Sequence, residues 1–142
     1  MNSIQFNTEN ARAWHEGRKT QHRELMEPQP YNRWNYLGFN GQAAFFCCGE
    51  HRRNESCVSD REINSKYKVG EKVFIQEPWA RSLVGGTIFY EISFDGNSLD
   101  VKWRDPKTMP QPASRSTAII TDIRVEKDDE DWSWVYGLKK GG

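Results

Sequence analysis

Arg18, Lys19, Thr20, His22 and Arg23 place a lysine, a hydroxyl, an imidazole and two guanidinium groups within six positions. They follow Ala13-Trp14-His15-Glu16-Gly17, which reads as the end of a short helix stopped by glycine. Such a stop leaves carbonyls unpaired and turns the chain sharply. The basic residues then fall on the turn and the start of a strand. There Lys19, Gln21 and Arg23 share one face, and Arg18, Thr20 and His22 the other. Ammonium, guanidinium and hydroxyl groups on one patch suit a phosphate or a polar base edge. A solvated basic turn has the same composition, so the segment needs partners elsewhere in the chain.

Two further clusters offer them. Glu77-Pro78-Trp79 closes an apolar segment, and its proline forces the chain outward. A carboxylate beside an indole can accept a base N–H while the ring stacks on a base; the alternative is a solvent-facing Glu77 and a core Trp79. Lys102-Trp103-Arg104 precedes a loop stiffened by Pro110 and Pro112, which ends in Ala113-Ser114-Arg115. That loop can deliver Ser114 and Arg115 to a ligand. Alternatively, it is an ordinary rigid loop whose Arg115 pairs with a carboxylate at the edge of the core. Cys47, Cys48, His51 and Cys57 lie within eleven residues. Adjacent strand cysteines project in opposite directions, and the usual two-residue gap between ligand pairs is missing, so no metal is expected. His15 reads as an exposed helix residue without a role.

The elements that must position these groups are mostly strands. The pattern gives a strand over Ile4–Asn7, then a helix over Thr8–Glu16 capped by Thr8 and stopped by Gly17. Further strands fall at Lys19–Met26, Ala43–Cys48, Lys72–Glu77, Thr87–Phe94, Leu99–Trp103, Ser116–Val125 and Trp132–Leu138. Asp95-Gly96-Asn97 is a hairpin signal, Glu50–Lys68 a surface loop, and Asp128–Asp131 a solvated acidic turn. Mainly β with one or two short helices (α+β), the chain is expected to form a small closed or nearly closed barrel.

Composition narrows the function. A chain of 142 residues is most simply one domain. Net charge is zero; residues 1–70 hold ten basic and eight acidic groups, and 71–142 hold ten and twelve. Without a basic field, any grip on nucleic acid must be local and compact. No signal-peptide-like or membrane-spanning run is present, and three cysteines suggest a reducing compartment. A soluble cytoplasmic protein is expected.

The clusters also occur in an order that resembles the ASCH domain family of the PUA-like superfamily, in a phage or prophage form. The matching pieces are Gly17-Arg18-Lys19-Thr20-Gln21 with Arg23, Tyr67 through Trp79, Lys102-Trp103-Arg104, Met109-Pro110 and Ala113-Ser114-Arg115. Thr121-Asp122-Ile123-Arg124-Val125-Glu126 and Trp132-Ser133-Trp134-Val135 complete the set, which leaves residues 31–66 as a variable insertion within one domain of 1–142. The resemblance implies a PUA-like barrel with a groove for RNA or a modified nucleotide or nucleoside, acting in the bacterial host cytoplasm. It places ligand contacts on Arg18, Lys19, Thr20, Arg23, Glu77, Trp79, Trp103, Ser114 and Arg115, with no cofactor. Some relatives are amidohydrolases acting on a modified cytidine nucleoside, and some are described as nucleases. In the amidohydrolases the motif lysine is catalytic, which carries over to Lys19. A catalytic threonine of that type aligns with His22, and the glutamate before the final strand finds no aligned position in Lys127–Asp131. Pro112 stands where phage relatives carry tryptophan. A catalytic set would therefore have to be Lys19, His22 and Glu77. Binding ranks ahead of catalysis, and binding of a host protein is a third reading.

Overall fold

The computed structural model describes residues 1–31, 34–48, 59–82, 85–96 and 101–141, except for the side chains of residues 48, 59 and 60. Its elements in chain order are β1 (Ser3–Gln5), α1 (Thr8–His15), β2 (Gln21–Leu25), β3 (Asn35–Phe39), β4 (Ala43–Cys48) and β5 (Ser59–Asn64). There follow β6 (Lys72–Gln76), β7 (Trp79–Arg81), β8 (Ile88–Tyr90), β9 (Thr117–Asp128) and β10 (Asp131–Lys140). Single 3-10 turns occupy Glu91–Ser93, Pro106–Thr108 and Gln111–Ala113. The class is mainly β with one α-helix, as the sequence pattern predicts.

The sheets are open. Their hydrogen-bonded orders are β1-β6-β9-β10-β2, β3-β4-β5 and β7-β8, each with two ends. A closed or nearly closed barrel is not formed among the described residues. One cause is local: β6 ends before Pro78, which has no N–H for a ladder, and β7 leaves to form a separate ribbon with β8.

By contacts the chain forms two compact units. The first comprises Met1–Thr20, Lys72–Ile119 and Leu138–Gly142; the second comprises Gln21–Glu71 and Ile120–Gly137. β9 and β10 therefore contribute to both.

In the first unit β1 runs parallel to β6, with Ile4 opposite Ile75, and β6 runs antiparallel to β9, with Val73 opposite Ala118. Ile4, Phe6, Ala11, Trp14, Val73 and Ile75 are buried in its core. Helix α1 begins at Asn7, whose side chain accepts from the Asn10 amide at 2.8 Å. Asn7 is thus the N-cap, one residue before the expected Thr8. The helix ends as expected at Gly17, whose φ of +77° suits glycine. The amide of Arg18 donates to the Ala13 carbonyl at 2.8 Å and that of Gly17 to Trp14 at 3.1 Å, the paired bonds of a Schellman stop.

In the second unit β10 pairs with β2, Val135 facing Arg23, and β4 pairs with both β3 and β5. Ala43–Cys48 forms the strand expected of it. The polar stretch over Glu50–Lys68, expected to be loop, instead carries β5. Its Ser59–Asn64 backbone completes the ladder that the apolar β4 needs, so pairing outweighs composition. Cys47 is disulfide-bonded, which corrects the expectation that the cysteines stay reduced and removes Cys47 from any zinc set. Cys48, His51 and Cys57 lie outside the described side chains.

Val101–Trp103 forms no strand, and Arg104 makes only an isolated bridge to Trp79. The rest of the expected strand, Leu99 and Asp100, and Asn97 of the hairpin signal lie outside the described residues. The acidic run is the turn between β9 and β10, with Asp129 at φ +52°. No described helix is long and apolar enough to cross a membrane.

Candidate ligand-binding site

Glu77 has no solvent-exposed surface. A carboxylate taken fully out of water must be hydrogen-bonded and charge-compensated. Arg115 does both: Nε donates to Oε2 at 3.2 Å and Nη2 to Oε1 at 2.8 Å, a forked geometry. His15 Nε2 lies 3.0 Å from Oε2 and donates the third bond. The three come from the end of α1, the residue after β6 and the loop entering β9, all within the first unit. Two residues named as ligand contacts are thus each other's partners, as in the alternative reading of the Arg115 loop, and the unassigned His15 joins them.

Arg115 is held on its other sides too. Nη1 donates to Ser93 Oγ at 3.2 Å, and the guanidinium carbon lies 4.1 Å from the Tyr90 ring centroid. Tyr90 in turn donates its hydroxyl to the Ala113 carbonyl at 2.6 Å. Burial pushes the Tyr90 phenol up; Arg115 opposes that shift and Glu77 adds to it. Of the five N–H donors of a guanidinium, three are spent and two are left for a ligand. Ser114 has a structural task, its hydroxyl donating to the Ile75 carbonyl at 2.7 Å.

Beside this cluster runs an open groove of about 570 Å³ lined by Lys72, Ser114, Arg115, Ser116, Thr117, Lys140 and Gly141. Among the described residues it is lined by three basic side chains and no carboxylate, and the Arg115 charge is matched from behind by Glu77. Lys140 Nζ lies 3.5 Å from the His15 carbonyl and 5.5 Å from the centre of the Trp14 ring. The Trp14 indole donates to Ser116 Oγ at 2.7 Å. Gly141 is required at the wall: its amide donates to the Thr117 carbonyl at 2.9 Å, and a Cβ there would meet Thr117 Oγ1 at 2.7 Å. Lys72 opens β6 within the Tyr67–Trp79 stretch and Lys140 ends β10, and in the sequence neither stands in a cluster of groups that points to chemistry. Their signal is only that each flanks an apolar strand.

The remaining predicted residues are dispersed. Arg18 pairs with Glu16, Nη2 lying 2.6 Å from its carboxylate, and Thr20 is exposed. Lys19 sits with its ammonium 5.3 Å from the centroid of the Phe6 ring, and burial lowers its pKa below the usual 10.5. Trp79 is 3% exposed, its Nε1 donating to Thr108 at 3.1 Å and Arg104 lying 4.9 Å from its ring centroid. A ring so covered offers no open face to a base. Trp103 is half-buried, packed edge-on against Phe94 at 5.4 Å.

His22 and Arg23 belong to the second unit, whereas Arg18, Lys19 and Thr20 belong to the first. Arg23 Nη2 donates to Glu126 at 2.6 Å. His22 Nε2 lies 2.8 Å from Glu24 Oε1, and the Tyr67 hydroxyl donates to the same oxygen at 3.4 Å. Burial pushes the Glu24 carboxyl up. The hydrogen bond from His22, the charges of His22 and Lys66 and the Tyr67 hydroxyl outweigh it and hold the pKa below 4.5. Burial raises Tyr67 well above its usual 10.0 and raises Tyr136 as well. Among the described residues no cluster of His, Cys, Asp or Glu could hold a metal ion. Comparison with protein-family models, curated proteins and solved structures found no match.

Removing Arg115 should strand the Glu77 carboxylate. Arg115→Met is expected to lower unfolding free energy by roughly 3 kcal/mol, read by urea denaturation, with Glu77→Gln added to Arg115→Met restoring part of it; no loss would contradict the pairing. The Glu24 shift gives a signed pH dependence. A carboxyl lowered on folding contributes stability fully present above its unfolded value of 4.5 and lost as pH falls through the lower folded value. The stability gap between wild type and Glu24→Gln should therefore be largest near neutral pH and close on acidification.

Proposed function

We propose that the first unit binds a nucleotide, free or as an unpaired residue of RNA, with its phosphate in the groove of Lys72, Arg115 and Lys140. The carrying observation is that, among the described residues, Lys72, Lys140 and the Glu77-anchored Arg115 line one groove with no carboxylate among them. A charge set of this kind attracts an anion, and two free guanidinium N–H groups match the paired oxygens of a phosphate. Glu77 is a positioning residue here. By fixing the guanidinium it lowers the entropic cost of ligand capture, and its own charge is spent on Arg115 and His15.

The ordered motifs support an ASCH-type assignment within the PUA-like superfamily, and a mainly β chain with one helix is compatible with it. The ligand contacts differ from those the motif alone suggests. Arg115 remains, Lys72 and Lys140 are added, and Glu77 and Trp79 act from behind the surface.

One observation favours a second reading. A lysine acting as base or nucleophile needs a lowered pKa, and Lys19 has one. The cause is burial; the neighbouring Arg18 is neutralised by Glu16. In this reading Lys19 carries out the deacylation of a modified cytidine nucleoside that some ASCH relatives catalyse.

For the first reading, a fluorescein-labelled single-stranded RNA pentamer should bind, and Lys72→Glu and Lys140→Glu should each weaken it about tenfold. With at most three cations engaged, the logarithm of affinity should fall against that of salt with a slope of about 2. Unchanged affinity in both variants, or a much steeper slope, would contradict the groove. For the second, turnover of N-acylated cytidine by wild type and none by Lys19→Ala is the expected pair; no wild-type turnover sinks it.

A further inference from the structure

The groove does not end at Arg115. The guanidinium that lines it also donates to Ser93 and lies against Tyr90. Ser93 and Tyr90 line a second pocket, of about 330 Å³, together with Ile88, Phe89, Phe94, Asp95 and Gly96. One side chain therefore joins a cationic groove to an aromatic pocket, and both lie in the first unit.

The pocket has the chemistry of a base site. Phe89 and Phe94 pack edge to face at 5.2 Å, and Trp103 supports Phe94 from a third position at 5.4 Å. Phe89, Tyr90 and Phe94 are half-buried, so each keeps some ring surface open. Gly96 brings its backbone against the Phe94 ring; a Cβ there would stand 2.9 Å from the ring edge. Aromatic faces accept any base by stacking. Asp95, exposed at the lip, makes no hydrogen bond or ion pair among the described residues. A carboxylate only accepts, and it has two oxygens. Among the common bases only guanine sets two donors side by side on its pairing edge, N1–H and the N2 amino group.

We propose that Phe89, Tyr90 and Phe94 hold the base of the nucleotide whose phosphate occupies the Lys72–Arg115–Lys140 groove, and that Asp95 selects guanine. Arg115 is the hinge of this arrangement, facing phosphate on one side and the base pocket on the other. The inference rests on the phosphate reading given above, so its test separates the two.

Calorimetric titration of the intact chain with GMP, AMP, CMP, UMP and ribose 5-phosphate does so. GMP should bind about 5- to 100-fold tighter than ribose 5-phosphate, the gain expected of one stacked base. Phe94→Ala should remove that gain and leave ribose 5-phosphate affinity unchanged, which also reports that the variant is folded. Asp95→Asn, a surface change, should level GMP with AMP while both still bind. If ribose 5-phosphate binds but GMP binds no better, or if Phe94→Ala leaves GMP binding intact, the base pocket is refuted and the phosphate groove stands. If neither ribose 5-phosphate nor any nucleotide binds, the groove itself fails and the base pocket falls with it.

Discussion

A carboxylate with no contact to water governs the first unit. Glu77 cannot remain buried and charged without partners, and the partners fix three separate pieces of chain. Arg115 draws the 111–115 loop onto the end of β6, and His15 ties the last residue of α1 to one of the same oxygen atoms, Oε2. Breaking one partner of such a pair is far costlier than the pair's net contribution, because the survivor is left desolvated. The constraint therefore works as a specification of geometry. It sets where the guanidinium points, and through Ser93 and Tyr90 it sets where the 3-10 turn at Glu91–Ser93 lies.

From that fixed guanidinium the functional reading extends in two directions. On one side stand Lys72 and Lys140, brought to one groove by the β6–β9 register and by the end of β10. On the other stands the aromatic pocket of Phe89, Tyr90 and Phe94. A net charge of zero is consistent with this local design. A few cations held rigidly can select a compact ligand where a broad basic field would favour long nucleic acids.

Local signals carried much of the fold into the sequence. Gly17 stops α1 because only a residue tolerating positive φ completes the Schellman bonds there. The apolar Ala43–Cys48 and the β-branched stretch through Ile119 and Ile120 read directly as strands. What was not legible depends on pairing between distant segments. β5 is polar and becomes a strand only because β4 lies beside it, and no local pattern announces how sheets stay open. The site followed the same division. Glu77 and Arg115 were visible as unusual groups at strand ends, but their mutual pairing is a contact across 38 positions. His15 reads as helix surface, Lys72 lies unmarked within the Tyr67–Trp79 stretch, and Lys140 carries no motif. The basic run Arg18–Arg23 looked like one patch, yet its residues divide between two units and mostly find carboxylate partners.

The central claim is that a nucleotide is gripped at Arg115. Its most direct test is a two-dimensional 1H–15N NMR titration of the labelled protein with GMP, following the Arg115 side-chain Nε–Hε signal together with the backbone amides. The account predicts saturable shifts at Arg115 Nε, at Lys72, Ser116 and Thr117, and at Phe94 and Asp95. Shifts confined to the second unit, around Glu24 and Lys66, with the Arg115 signal unmoved, would contradict it.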